Sequence, residues 1–310
     1  MQLNMSLLLD TIQQACCFEI WYNIRQMSKE ANTNKTLKFA VIGHPVAHSL
    51  SPVMHAANFA SLSLDATYEK FDVEPGDVAR FVAGKRREGY AGLNVTVPHK
   101  HEVVSALDRL DESVERYGAC NTVKFLPDGS TTGYNTDVAG FLSCLAAHGF
   151  SVAGKRVFVV GCGGAGSALA TACAYENAAS VALANRTPET AFALAERLRA
   201  IPGGTIVAAL PGRASWADAA NEADLVVNAT PAGLREGDES ALPAEAFRPG
   251  QFVLDIVPTK RFPPTAALAE KMGAEAVDGL EFLVAQGAES FEIWTGLKAD
   301  REAMLRAVRG

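Results

Sequence analysis

Lys100 stands in Asn94-Val95-Thr96-Val97-Pro98-His99-Lys100, so an amide, a hydroxyl and an ammonium group gather around the end of one short apolar run. Ser49 and Ser51 occupy a comparable place in Ser-Leu-Ser-Pro, where a strand-like run ends and a helical pattern begins. Asn121 follows in GACNTV and Asp137 in NTD. Open α/β sheets bind ligands outside the carboxyl ends of their strands. Any one of these side chains also has a local use as a helix cap or turn former. Their recurrence at successive strand ends points to a small ligand with several hydroxyls.

A second group is glycine-rich. Gly161-Cys162-Gly163-Gly164-Ala165-Gly166 comes directly after the apolar run VFVV and before a helical pattern. Such a turn needs glycine for its tight path, and a pyrophosphate needs backbone N–H groups with no Cβ in the way. The motif alone is weak, but the strand before it and the helix and strand after it make it a dinucleotide site. The next strand ends in Asn185-Arg186-Thr187, where an NAD site carries Asp or Glu for the ribose 2′-hydroxyl. A guanidinium and two small polar side chains suit a 2′-phosphate instead, so the expected cofactor is NADP. Glu189, close behind, is the one residue that speaks for NAD.

The elements that must hold these residues read as two α/β blocks. In the first, LKFAVIG, TYEKFDV and GLNVTVP are expected as strands, VMHAANFASLSL, VARFVAGKRREG and KHEVVSALDRL as helices. NTVKFLPDGSTTGYNTD is expected as two strands joined at Pro-Asp-Gly. In the second, KRVFVVG, SVALANRT, TIVAAL, DLVVNATPAG and FVLDIVP are strands separated by helices, and one helical stretch runs from about Gly279 to Val308. This alternation predicts parallel sheets. The blocks meet near Thr136–Leu142, where a helix is expected to cross from one to the other.

Composition excludes several classes. The 310 residues are 48% hydrophobic and 20% charged, with a formal net charge of −7. That balance argues against a nucleic-acid or anionic-membrane surface, and no apolar run is long enough to span a bilayer. Cys16, Cys17, Cys120, Cys144, Cys162 and Cys173 form no CxxC pair, which fits reduced thiols in the cytoplasm. The histidines show no metal-binding spacing, so no metal is expected. Residues 1–35 read as an N-terminal extension, with a polar lead-in after Met27 and Met27 as a candidate start.

GHPVAHSLSPVMH, NVTVPHK, GACNTV, GYNTD, GCGGAG, NRT, NATPAG and DGLEFLVAQG, in this order from about Phe39 to Gly287, resemble the motifs of the shikimate dehydrogenase family. The resemblance implies an α/β enzyme of two domains with a cleft between them. An N-terminal α/β substrate domain would comprise residues 36–137 together with the C-terminal helices, about 281–310. A Rossmann-type NADP-binding domain would comprise 138–280. It implies reduction of 3-dehydroshikimate to shikimate in aromatic amino-acid biosynthesis, with Lys100 and Asp137 as the catalytic pair. Ser49 and Ser51 would hold the substrate carboxylate. Thr96, Asn121, Asp137 and Gln286 would hold its hydroxyls and ring. Gly161, Gly163, Gly164, Ala165, Gly166, Asn185, Arg186 and Thr187 would hold the nucleotide half of NADP, and Glu112, Ile256 and Gly279 its nicotinamide half. In one place the pattern is broken: Pro258 stands where the family has a tyrosine that helps bind the carboxylate. That change leaves a quinate or dual quinate/shikimate dehydrogenase as the second reading, and a non-catalytic ligand sensor on the same fold as a third. A homodimer is left open.

Overall fold

The computed structural model of the protein describes residues 36–310; the expectations for the N-terminal extension, Met27 and the Cys16-Cys17 pair lie outside them. β1 (Leu37–Gly43), β2 (Ala66–Asp72), β3 (Gly92–Val95), β4 (Arg109–Leu110), β5 (Thr122–Phe125) and β6 (Thr131–Tyr134) form one sheet in the order β2-β1-β3-β5-β6-β4. The parallel order expected from strand–helix alternation holds for β1 with β2 and β3, whereas β5 is antiparallel to both β3 and β6. The link from β5 to β6 is the short turn around Pro127-Asp128-Gly129, and so brief a connection joins antiparallel neighbours only. Gly129 takes φ +81° there, a conformation that suits glycine.

Three helices of this block lie where the hydrophobic spacing predicts them: α1 (Ser51–Ser61), α2 (Val78–Arg87) and, crossing between the sheets, a long helix after Asn135. The expected helix over KHEVVSALDRL does not form. Only Glu102–Ala106 makes a short 3₁₀ turn, and the chain then extends into β4. Asp108 explains the change, because its carboxylate accepts from the Thr131 backbone N–H at 2.8 Å and from the Thr131 hydroxyl at 2.9 Å. Those bonds tie the chain alongside β6. A further short helix, α3 (Glu112–Tyr117), starts on the Asp111 cap and ends on Gly118 at φ +71°.

The crossing helix is α4 (Thr136–Ala147). Asn135 caps it by accepting from the Asp137 N–H at 3.1 Å, which sets Asp137 in the first turn. Beyond it, β7 (Arg156–Val160), β8 (Ser180–Ala184), β9 (Ile206–Ala209), β10 (Leu225–Asn228), β11 (Phe252–Asp255) and β12 (Glu275–Val277) form a fully parallel sheet in the order β12-β11-β10-β7-β8-β9. The strand order reverses between β7 and β10, the place where such sheets open a ligand crevice. Helices α5 (Gly164–Tyr175), α6 (Pro188–Arg199), α7 (Trp216–Glu222) and α8 (Pro264–Lys271) fill the connections.

The expected helix from about Gly279 to Val308 is two helices, α9 (Gly279–Thr295) and α10 (Arg301–Arg309). Gly296 ends α9 in the left-handed conformation, and Asp300 starts α10 by accepting from the Ala303 N–H at 2.9 Å. Both return to the first sheet. Trp294 of α9 stacks on Phe39 of β1 with centroids 4.8 Å apart and donates to the Val123 carbonyl at 3.0 Å. Met304 and Val308 of α10 join Met54 of α1 in one buried cluster. Where α9 crosses α4, a Cβ on Gly140 would lie 2.5 Å from the Gln286 backbone nitrogen. The missing side chain lets the helices touch backbone to backbone, and it places Gln286 beside Asp137, one turn back along α4.

Candidate active site

Two cavities lie at the carboxyl ends of the strands. The first, about 320 Å³, is lined by Ser49, Ser51, Asn94, Thr96, Lys100, Asn121, Asp137 and Gln286 from the first sheet and its helices. Ile256, Pro258 and Gly279 close it from the second sheet. Every residue expected to bind substrate is thus brought to one wall or another of one space. His48, Leu234, Phe282 and Leu283 also line it, residues to which the sequence assigns no role of their own.

Lys100 Nζ donates to Asp137 Oδ2 at 2.5 Å, with the lysine side chain 17% exposed and the carboxylate 8%. The other carboxylate oxygen accepts from Asn121 Nδ2 at 2.9 Å. Asn121 is itself held on both sides. Its Oδ1 accepts from the Thr136 N–H at 2.7 Å, and its Nδ2 lies 3.3 Å from Gln286 Oε1. An ammonium group has three protons, so the bond to Asp137 leaves Lys100 two with which to meet a ligand oxygen. The pair can therefore stabilise negative charge on that oxygen and hand it a proton.

Behind this wall sits a buried polar network that local sequence reading does not reveal. Ser290 of α9 lies within 2.8 Å of the Thr122 hydroxyl and 3.0 Å of the Thr136 hydroxyl, and accepts from Asn94 Nδ2 at 2.9 Å. Tyr68 donates to Asn94 Oδ1 at 2.7 Å. Asn94 is thereby held by contacts from β2, β5 and α9 at once. Its side chain is fully committed to these partners, so its orientation toward the cavity is set before any ligand arrives.

His55 stacks on Tyr68 at 4.4 Å, is fully buried, and has no partner for either ring nitrogen among the described residues. Burial pushes its pKa down to about 3. Unfolding returns it to about 6.5, so between these values the unfolded chain binds more protons and stability drops as pH falls. The slope from one such group approaches about 1.4 kcal/mol per pH unit. His55→Phe should lose less of its urea midpoint than the wild type between pH 6.5 and pH 4. Asp255, which burial raises to about 6, acts with the opposite sign in both proteins and cancels in the difference. Parallel midpoint curves would rule out His55 as the source.

The second cavity, about 650 Å³, is lined by Gly161, Gly163, Asn185, Arg186, Thr187, Arg213 and Trp216, with the loop after β10 closing it. Gly161 takes φ +97° and donates to the Ala184 carbonyl at 2.8 Å; a Cβ there would lie 2.6 Å from Ala229 backbone. Cβ atoms built on Gly163 or Gly164 would meet no protein atom within 4 Å, so the first turn of α5 opens onto free space. No acidic residue sits in that turn. Free backbone N–H groups, an unscreened helix dipole and room for a large anion fit the pyrophosphate of a dinucleotide. Arg186 and Thr187 line the space beside it, whereas Glu189 does not. Asn185 contributes by building the site: its Oδ1 accepts from the Cys162 N–H at 3.1 Å and its Nδ2 donates to the Thr187 carbonyl at 2.9 Å, tying the glycine loop to the end of β8.

Ile256 and Gly279 lie side by side on the smaller cavity. A Cβ on Gly279 would lie 2.3 Å from the Val257 carbonyl oxygen, so only glycine lets α9 start this close to the end of β11. Leu234 lines both cavities. Glu112 stands apart from this group: it lines neither cavity, and its exposed carboxylate pairs with Arg116 on the same helix.

Comparison with known proteins shows the family to which the chain belongs. Residues 41–123 match the shikimate dehydrogenase substrate binding domain, 144–259 the shikimate/quinate 5-dehydrogenase domain and 279–309 the shikimate 5′-dehydrogenase C-terminal domain. The chain is 43% identical over 271 residues to the shikimate dehydrogenase (NADP(+)) of Moorella thermoacetica, covering 87% of this chain and 92% of that one. With the enzyme of the same name from Rubrobacter xylanophilus it shares 43% over 286 residues, covering 92% and 99%. Its fold matches the crystal structure of shikimate 5-dehydrogenase from Thermus thermophilus in complex with NADP(H) and shikimate, with a TM-score of 0.78, 38% identity and coverage of 88% and 98%.

Proposed function

The chain belongs to the shikimate dehydrogenase family, and from that premise we propose that it reduces 3-dehydroshikimate to shikimate with NADPH, Lys100 and Asp137 carrying the proton transfer. The observation that supports this reading best is the Lys100–Asp137 pair, 2.5 Å apart, in a cavity walled by Ser49 and Ser51 and closed by Ile256 and Gly279. Residues 36–137 with about 281–310 serve as the substrate domain and 138–280 as the NADP domain. Among the described residues no helix is long and apolar enough to cross a membrane, and we place the enzyme in the cytoplasm.

NADPH, when bound, supplies the hydride that reaches the ketone carbon. Lys100 meets the ketone oxygen with a free N–H and gives it a proton as negative charge develops, which turns the carbonyl into the alcohol. The neutral amine left on Lys100 then takes up a proton from solvent and is an ammonium group again. Asp137 keeps the lysine aimed at this oxygen, and Asn121 keeps Asp137 from turning away. Ser49 and Ser51 hold the carboxylate end, while Thr96, Asn121 and Gln286 take the hydroxyls. Pro258 has no donor to offer the carboxylate, so the two serines bear more of that contact. Relatives named shikimate dehydrogenase (NADP(+)) at 43% identity favour shikimate over quinate and an enzyme over a sensor.

Following NADP(H) absorbance with shikimate and quinate, each with NADP and with NAD, tests this directly. Fast turnover is expected with shikimate and NADP. Preference for quinate would transfer the chain to the second reading, and no turnover with either would favour the sensor. Arg186→Ala should lower the NADP-over-NAD ratio of kcat/KM by about tenfold or more, since a charge-assisted contact to phosphate contributes roughly 1.5–3 kcal/mol. An unchanged ratio would remove Arg186 from the cofactor site.

A further inference from the structure

A ribose 2′-phosphate carries close to two negative charges and three acceptor oxygens, more than one guanidinium can satisfy. Arg186 reaches its place two residues beyond the end of β8. β9 runs beside β8, with Leu183 opposite Ala209, and its chain continues over the same end of the sheet. Arg213, four residues beyond β9, lines the same cavity as Arg186 and Thr187. Its guanidinium lies over the ring of the buried Trp216, 5.4 Å from the centroid. Among the described residues neither Arg186 nor Arg213 has an ion-pair partner. From the facing loop Arg235, Asp238 and Glu239 also line the cavity, and Asp238 is already engaged: its Oδ2 accepts from the Gly233 N–H at 3.0 Å and the Arg235 N–H at 2.9 Å.

We propose that Arg213 is the second guanidinium of the 2′-phosphate site, holding the phosphate from the β9 side while Arg186 holds it from the β8 side. Two guanidinium groups without an ion-pair partner among the described residues, on adjacent strand ends and facing one cavity, form a clamp for a dianion. Stacking on Trp216 restricts the Arg213 side chain before the phosphate arrives, so less freedom is lost when it binds. An arginine fork also bonds two oxygens at once, which a lysine at this position would not.

This inference rests on the NADP reading above, and calorimetric titration of the full chain with 2′-AMP and with 5′-AMP separates the two. The wild type should bind 2′-AMP the more tightly. Arg213→Ala should weaken 2′-AMP about tenfold and leave 5′-AMP unchanged, and Arg213→Lys should recover only part of the loss. In turnover the variant should show a raised KM for NADPH with kcat retained. Equal weakening of both nucleotides would overturn the proposal, because Arg213 would then contact the adenosine rather than the phosphate. No weakening of either would overturn it as well. A wild type that binds the two nucleotides alike would overturn the 2′-phosphate site itself, and Arg213 with it.

Discussion

Lys100→Ala should lower kcat by about 10³-fold while NADPH binding, followed by its fluorescence, stays within a few-fold of wild type. The lysine is asked for two things at the reacting oxygen, a proton and a nearby positive charge, and alanine supplies neither. Its distance from the glycine loop keeps the nucleotide site out of the change: Lys100 lines the smaller cavity and not the larger one. Substitution also leaves Asp137, 8% exposed, without its cation, which costs stability of its own. Lys100→Arg controls for that, because it keeps a charge beside Asp137 but holds its protons too tightly to give one up. If the chemistry is as proposed, Arg restores the melting temperature and not the turnover. Activity within tenfold of wild type in Lys100→Ala would remove the lysine from the reaction.

What could be read in the sequence is what lies close together along the chain. Asn94, Thr96 and Lys100 share one strand end, Ser49 and Ser51 one helix start, and Arg186 follows its strand by two residues, so each reaches a cavity through local structure. The glycine loop is legible for the same reason, being strand, turn and helix in order. What escaped depends on contacts across the fold. Ser290 is far from Asn94, Thr122 and Thr136 in sequence yet bonds or approaches all three. Helix propensity around Glu102–Leu110 yields to Asp108 bonding Thr131 across the sheet. Arg213 carries no local motif and gains meaning only because β9 lies next to β8. Gly296 is the exception, a local signal that does break the last helical stretch in two.

Gly163 and Gly166 are two residues of one motif with opposite physical reasons for being glycine, and their alanine variants should separate. A Cβ on Gly166 would lie 1.8 Å from the Gly161 carbonyl oxygen and 3.0 Å from the Ala229 Cβ, so α5 would have to lift away from β7. Forcing extra volume into a packed contact costs about 1–3 kcal/mol, so Gly166→Ala should melt about 5–10 °C lower. It should also lose NADPH affinity, because lifting α5 carries its N–H groups out of place. A Cβ on Gly163 meets nothing within 4 Å, and its φ of −74° suits alanine. Gly163→Ala should therefore melt like the wild type while its KM for NADPH rises about tenfold or more, the methyl standing where the pyrophosphate approaches. Shikimate binding should survive in Gly163→Ala, since Gly163 does not line the substrate cavity. Should Gly163→Ala keep its affinity for NADPH, the pyrophosphate does not lie over the start of α5, and the cofactor placement drawn from the loop is wrong.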